Sequence, residues 1–182
     1  RKMAARILPL LPAEDTSQAR VEESLYLRTT LRMAVKDPGA GSAARAFLRK
    51  YPASPLSARI DVRLGHEAFL AGDTKEAVSR YRAAAETGDP ETSAAARYML
   101  AWIRFQAGDA DGTARELSYP LSDPSFPCGD LSPFEQAVLS LSDRVWREFP
   151  PEKLDSYPPV TAATCGGKVL LNALWEAAEV RG

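Results

Sequence analysis

Residues 64–73 read LGHEAFLAGD, and residues 100–109 read LAWIRFQAGD. Each segment is an apolar run at helical spacing that ends at Ala-Gly-Asp, and 36 residues separate Gly72 from Gly108. A fixed period of roughly 20–50 residues is typical of stacked structural repeats. Because helical periodicity flanks each glycine, we predict that the repeated unit is a helical hairpin that turns at the glycine.

The residues at the predicted turns have suitable chemistry. Glycine adopts the left-handed conformation that closes a helix without a Cβ clash, which suits Gly72 and Gly108. Asp73 and Asp109 follow, where a short polar side chain caps the next helix. A single hairpin cannot bury its apolar face, so we expect neighbouring hairpins to stack on it.

In the helix predicted after Asp73, Ala77 and Tyr81 share one face. We predict that small Ala77 lets this helix lie close to the preceding one and that Tyr81 fills the groove beside it. Ala43 and Phe47 show the same small-then-aromatic spacing 34 residues earlier, with Ser42 as the predicted cap. Residues 20–52 are therefore predicted to form a degenerate first hairpin.

This pattern resembles the tetratricopeptide repeat family. One unit carries the resemblance through Leu64, Gly65, Phe69, Gly72, Asp73, Ala77, Tyr81 and Ala84, and the next through Leu100, Ala101, Phe105, Gly108 and Asp109. The second copy departs from the pattern where Thr113 replaces the usual small residue, Leu117 replaces an aromatic residue and Pro120 interrupts the second helix. The segment KYPASP at residues 50–55 is similar to a subgroup in bacterial envelope proteins, including cell-division coordinators and the lipoprotein subunit of outer-membrane assembly machinery.

The predicted fold is all-α: a right-handed solenoid of tetratricopeptide-like hairpins followed by a C-terminal helical pair. Residues 1–121 are predicted to hold the hairpins, and residues 122–182 a linker and the helical pair that caps the stack. The hairpins are assigned to residues 20–52 (degenerate), 56–88 and 92–121.

Composition excludes some classes of function. The chain has 182 residues, with 23 Lys and Arg against 24 Asp and Glu, and this balance argues against a nucleic-acid partner. The sequence has no run of about 18 apolar residues, so we predict no transmembrane segment. Peripheral membrane association through a complex or a missing anchor stays open. In residues 1–12, Pro9 and Pro12 break the apolar core of a signal peptide, so we predict a docked or frayed terminal segment. The start at Arg1 indicates the cut edge of a larger polypeptide or a processed mature chain.

The residues indicate no enzyme, cofactor or metal. His66 is the only histidine, which leaves no pair of histidines for zinc and no triad partner beside it. Cys128 and Cys165 are the only cysteines, and each adjoins a glycine. A disulfide between them would join the linker to the last helix, as an oxidising periplasm would allow, and two unpaired buried cysteines are the alternative.

In tetratricopeptide proteins the first helix of each unit lines a concave groove. The resemblance therefore implies that Arg59, Val62 and His66 face the groove in one unit, and Tyr98 and Trp102 in the next. Packing between hairpins is the alternative for Trp102. Four arginines either hold an acidic peptide or a carboxylate terminus, or form a solvated helix face: Arg59, Arg63, Arg97 and Arg104.

The sequence thus favours a non-enzymatic scaffold that binds a protein or peptide in this groove. By resemblance, the complex belongs to the bacterial envelope, and the location is periplasmic, with the cytoplasm as the alternative. Two alternative functions stay open: a regulatory or accessory domain of a larger cytoplasmic protein, and a helical domain that binds a small molecule or lipid.

Overall fold

A computed structural model describes residues 18–127, 129–149 and 164–168. Within these ranges the chain is all-helical, which confirms the predicted all-α class. Apart from a helical turn at residues 165–168, seven helices occur there: α1 (Gln18–Ala34), α2 (Ala40–Lys50), α3 (Pro55–Leu70), α4 (Thr74–Thr87), α5 (Pro90–Gln106), α6 (Ala110–Leu121) and α7 (Pro133–Glu148). The predicted terminal segment 1–12 and most of the last predicted helix lie outside the described residues.

The chain divides into two compact units, residues 1–93 and 94–182. In the first unit, buried side chains of α1 and α2 form one core cluster with Ile60 of α3. In the second unit, α5, α6 and α7 contribute a separate cluster that includes Phe105, Leu117 and Val138. The predicted division after residue 121 stays a prediction.

Gly72 and Gly108 end α3 and α5 in the same conformation, as predicted. Their φ angles are +81° and +75°. The following residue donates its backbone N–H to the carbonyl five positions earlier, over 2.9 Å from Asp73 and 3.0 Å from Asp109. These are the bonds of a Schellman turn, in which glycine avoids the steric cost of positive φ.

The predicted caps are also confirmed. The Asp73 carboxylate accepts a hydrogen bond from the backbone N–H of Glu76 at 3.1 Å, and Asp109 accepts one from Gly112 at 2.9 Å. Each aspartate thereby satisfies one of the unpaired N–H groups at the start of the following helix.

A third turn of this type closes α1 at Lys36, which lies 36 residues before Gly72. Lys36 has a φ of 56°, and the next residue, Asp37, donates its N–H to the Arg32 carbonyl at 2.9 Å. The connection to α2 covers residues 35–39 and is two residues longer than the connection 71–73, which explains the 34-residue spacing of α2 and α4. The predicted cap is wrong here, because α2 begins at Ala40 and Ser42 donates to the Gly39 carbonyl from inside the helix.

The contact between α3 and α4 depends on Gly65. A Cβ atom at Gly65 would lie 2.9 Å from Cε1 of Tyr81, so the ring packs directly on the α3 backbone. Ala77, Tyr81 and Ala84 are fully buried, and burial raises the pKa of Tyr81 to about 12. The prediction that Tyr81 fills the groove beside α3 is therefore confirmed, with Gly65 as the small residue opposite it.

In the second unit, α6 continues through Pro120 to Leu121, so the prediction that proline interrupts it is wrong. Proline occupies the last turn, where the helix loses only one backbone hydrogen bond near its end. Ser132 and Glu135 form the capping box of α7. Thr164 donates its hydroxyl to the Leu121 carbonyl at 2.9 Å and accepts from the N–H of Gly167, so it caps the helical turn 165–168.

Candidate functional site

The predicted groove residues of the first unit share one face of α3. Arg59, Val62 and His66 follow one another at intervals of three and four residues, the spacing of one helical face. Arg59 and His66 are exposed and Val62 is half-buried. Leu70 continues the same face four residues later, and 73% of its surface is exposed. An exposed position was not predicted for Leu70, because Leu70 belongs to the apolar run of residues 64–73.

Asp89 holds the Arg59 side chain in place. The Nη2 atom of Arg59 lies 2.8 Å from Oδ2 of Asp89, and Nε lies 3.2 Å from the same oxygen. The hydrogen bond from the Thr92 backbone lowers the pKa of Asp89, and the bond from Arg59 adds to this effect against the cost of burial. Both groups are therefore charged at neutral pH, and Arg59 stays about half exposed beside the ion pair.

The ionised form of Asp89 is expected to stabilise the fold in a pH-dependent way. Its folded-state pKa is lowered from 3.8, so this contribution is present above pH 3.8 and disappears as the pH falls through the folded-state pKa. Asn at position 89 keeps a capping oxygen but has no charge. Urea denaturation at a series of pH values measures the free energy of unfolding of both proteins. We expect this free energy to be larger for wild type than for Asp89→Asn near neutral pH, and the difference to shrink in acid. A difference that does not change with pH would contradict this role of Asp89.

The predicted groove residues of the second unit pack against its core. Tyr98 meets Phe134 of α7 edge to face, with ring centroids 6.0 Å apart, and Trp102 stacks on Phe105 at 6.1 Å. Both Tyr98 and Trp102 are half-buried against the cluster that α5, α6 and α7 share. Packing thus uses part of each ring, and a partner-binding role for these residues stays a prediction.

Three of the four predicted anion-binding arginines hold acidic groups of their own unit, and one of them is Arg59, which pairs with Asp89. Arg97 lies 3.1 Å from Glu116, and its guanidinium stacks over the Tyr119 ring at 3.7 Å. Arg104 lies 2.7 Å from Asp109. Arg63, by contrast, lies exposed on α3. Binding of an acidic peptide by these four arginines stays a prediction.

Two ion pairs between hairpin helices were not predicted. Asp61 of α3 lies 3.0 Å from Arg80 of α4, and Arg97 of α5 lies 3.1 Å from Glu116 of α6. The second pair occupies positions 36 residues after the first, with the charges exchanged. Burial raises the pKa of Asp61 against the opposing effect of Arg80, and Asp61 is only 7% exposed. The two pairs are not visible when the sequences of the two hairpins are aligned, because neither position keeps its residue type.

The described residues contain no group of three or more histidine, cysteine or acidic side chains that could hold a metal ion. Across the same ranges, every helix is too short or too polar to span a membrane. Cys128 lies outside the described residues, and no cysteine within them is a free thiol. The predicted bridge between Cys128 and Cys165 stays a prediction.

Comparison with known proteins found no matching family model, no matching curated protein and no matching solved structure.

Proposed function

We propose that this protein is a non-enzymatic, tetratricopeptide-like scaffold that binds a segment of a partner protein. The main support is the repeated helix-closing turn at Lys36, Gly72 and Gly108, which have positive φ and lie 36 residues apart. Two hairpins also place an ion pair at equivalent positions. Repeats of this kind commonly serve as extended binding surfaces.

The α3 face is the proposed contact surface of the first unit. It combines an oriented guanidinium at Arg59, an apolar centre at Val62, a hydrogen-bonding imidazole at His66 and an exposed apolar end at Leu70. Exposed apolar side chains beside fixed polar groups are typical of protein contacts. In the second unit, the proposed contribution comes from the exposed parts of Tyr98 and Trp102.

The proposed partner belongs to a bacterial envelope complex, and the proposed location is the periplasm. The resemblance of residues 50–55 and the adjoining helix to envelope repeat proteins supports this part of the proposal. A regulatory domain in a larger cytoplasmic protein remains the alternative. The fraction from which a partner is captured distinguishes these two proposals.

We expect His66→Ala combined with Leu70→Ala to abolish partner capture without changing the melting temperature, since both side chains are exposed. Affinity capture from separate envelope and cytosol fractions would be followed by measurement of the Kd for the captured partner. Arg82→Ala combined with Glu86→Ala, two exposed positions on α4, is the matched control. Equal capture by both double variants would contradict a binding role for the α3 face.

Trp102→Ala tests the second unit separately. Because Trp102 also stacks on Phe105, both the melting temperature of the variant and its affinity for the captured partner must be measured. Loss of stability with unchanged affinity would assign Trp102 to packing alone.

A further inference from the structure

A cleft of about 430 Å³ lies between α1 and α2 in the first unit. One helical stripe from each helix lines it, and the members of each stripe are spaced three, four and seven residues from its first residue. The stripe of α1 consists of Leu25, Arg28, Thr29 and Arg32, and that of α2 of Ala43, Ala46, Phe47 and Lys50.

The cleft occupies the position at which the next hairpin has its ion pair. With the 36-residue spacing of α1 and α3 and the 34-residue spacing of α2 and α4, Leu25 corresponds to Asp61 and Ala46 to Arg80. Asp61 and Arg80 bridge α3 and α4 at 3.0 Å. Leu25 and Ala46 cannot form such a bridge, and Ala46 is exposed. The first hairpin thus has a cleft where the second hairpin has an ion pair between its two helices.

The lining combines apolar surface with positive charge. Among the eight lining residues that the structure describes, three are cationic and none is acidic. Leu25 is the largest apolar side chain among them that is not already buried, since Phe47 is only 4% exposed. The two helices run antiparallel, because only residues 35–39 connect them and the Tyr26 ring, near the middle of α1, lies 6.3 Å from the ring of Phe47, near the end of α2. Arg32 therefore lies towards one end of the cleft and Lys50 towards the other, with Arg28 between them along α1.

We propose that this cleft binds an acidic amphipathic helix of a partner protein. Small side chains at a helix contact allow close approach of the backbones, and Ala43 and Ala46 provide such a contact on α2. Cations at both ends match carboxylates distributed along a helix better than they match one headgroup. Apolar side chains of the bound helix would cover Leu25 and Ala46. This site is separate from the α3 face and does not depend on the role proposed for that face.

The test uses a synthetic peptide of about 14 residues, long enough for roughly four helical turns. One face carries leucine and alanine, and glutamate flanks that face on both sides. A second peptide replaces each glutamate with lysine, and dodecanoate represents an anionic amphiphile with a single headgroup. Kd is measured for each probe by fluorescence anisotropy or calorimetry at physiological salt.

Arg32→Glu combined with Lys50→Glu is expected to weaken binding of the acidic peptide by about tenfold or more, because it reverses the charge at both ends of the cleft. Ala46→Phe is expected to weaken binding similarly by filling the cleft without a change of charge. Arg45→Glu combined with Arg49→Glu reverses two exposed α2 charges outside the lining and is expected to change Kd less than about threefold, since salt screens distant charges. His66→Ala with Leu70→Ala should leave this Kd unchanged, which separates this site from the proposed function.

Circular dichroism and melting temperature would establish that each variant is folded. The proposal is overturned if the lysine peptide binds as tightly as the acidic one, or if the Arg45 and Arg49 control weakens binding as much as the cleft variant. If dodecanoate binds and the acidic peptide does not, the cleft is a site for a small amphiphile. A dimer that dissociates only in the cleft variants would assign it to a second copy of this chain.

Discussion

Replacing Arg80 with glutamate is expected to lower the free energy of unfolding by about 3 kcal/mol or more. Arg80 bridges α3 and α4 by pairing with Asp61 at 3.0 Å, and it also pairs with Glu76 at 2.7 Å. The substitution would leave the Asp61 carboxylate without its cation in a site that is 7% exposed, beside a new negative charge. Urea denaturation at neutral pH measures the loss.

Exchanging both charges should restore much of this stability. Asp61→Arg together with Arg80→Glu gives α3 and α4 the arrangement that Arg97 and Glu116 already have in the next hairpin. We expect the double variant to regain at least about half of the loss caused by Arg80→Glu, a coupling within the range measured for contacting residues. The same exchange in the α7 pair Asp143 and Arg147, whose side chains are more exposed, is the control, with an expected effect below about 1 kcal/mol.

Additive losses from Asp61→Arg and Arg80→Glu would show that the backbone around the first pair cannot hold the reversed charges. The 36-residue correspondence between the two pairs would then lack energetic meaning. Recovery would instead support one hairpin geometry in both places, independently of any sequence resemblance.

Local chemistry made the turns after α3 and α5 predictable. Gly72 and Gly108 combine permitted positive φ with a capping aspartate, and both signals are visible in the sequence. The turn at Lys36 has the same backbone, but its side chain gives no such signal, since lysine adopts the left-handed conformation only when its surroundings hold it there. The predicted start of α2 was too late, because Ser42 has the chemistry of a cap although the helix already begins at Ala40.

Contacts between distant parts of the chain were not predictable. Tyr98 and Trp102 have the spacing of a helix face, but α7 supplies Phe134, the partner of Tyr98, from 36 residues further along the chain. Likewise, the cleft between α1 and α2 exists where Leu25 and Ala46 cannot form the ion pair that Asp61 and Arg80 form between α3 and α4. Periodicity identifies a helix face, whereas the residue that covers that face depends on the fold.

Replacing Gly65 with leucine is expected to destabilise the protein by about 3 kcal/mol through overpacking. A Cβ atom alone would lie 2.9 Å from the Tyr81 ring, which is fully buried and has little room to move. The better helix propensity of leucine offsets less than about 1 kcal/mol of this loss. Glu67→Leu, at an exposed position of the same helix, is the control and should change the free energy of unfolding by less than about 0.5 kcal/mol.

Tyr81→Ala in the Gly65→Leu background should recover part of the stability by moving the larger side chain from α4 to α3. Tyr81→Ala alone is expected to cost about 3–5 kcal/mol because it leaves a cavity, so recovery in the double variant would appear as strong non-additivity. The third hairpin, formed by α5 and α6, already divides the same space differently, with fully buried Ala101 and Leu117 at the positions of Gly65 and Tyr81. A Gly65→Leu variant within about 1 kcal/mol of wild type would mean that α3 and α4 can separate at little cost, and that their spacing does not depend on this glycine.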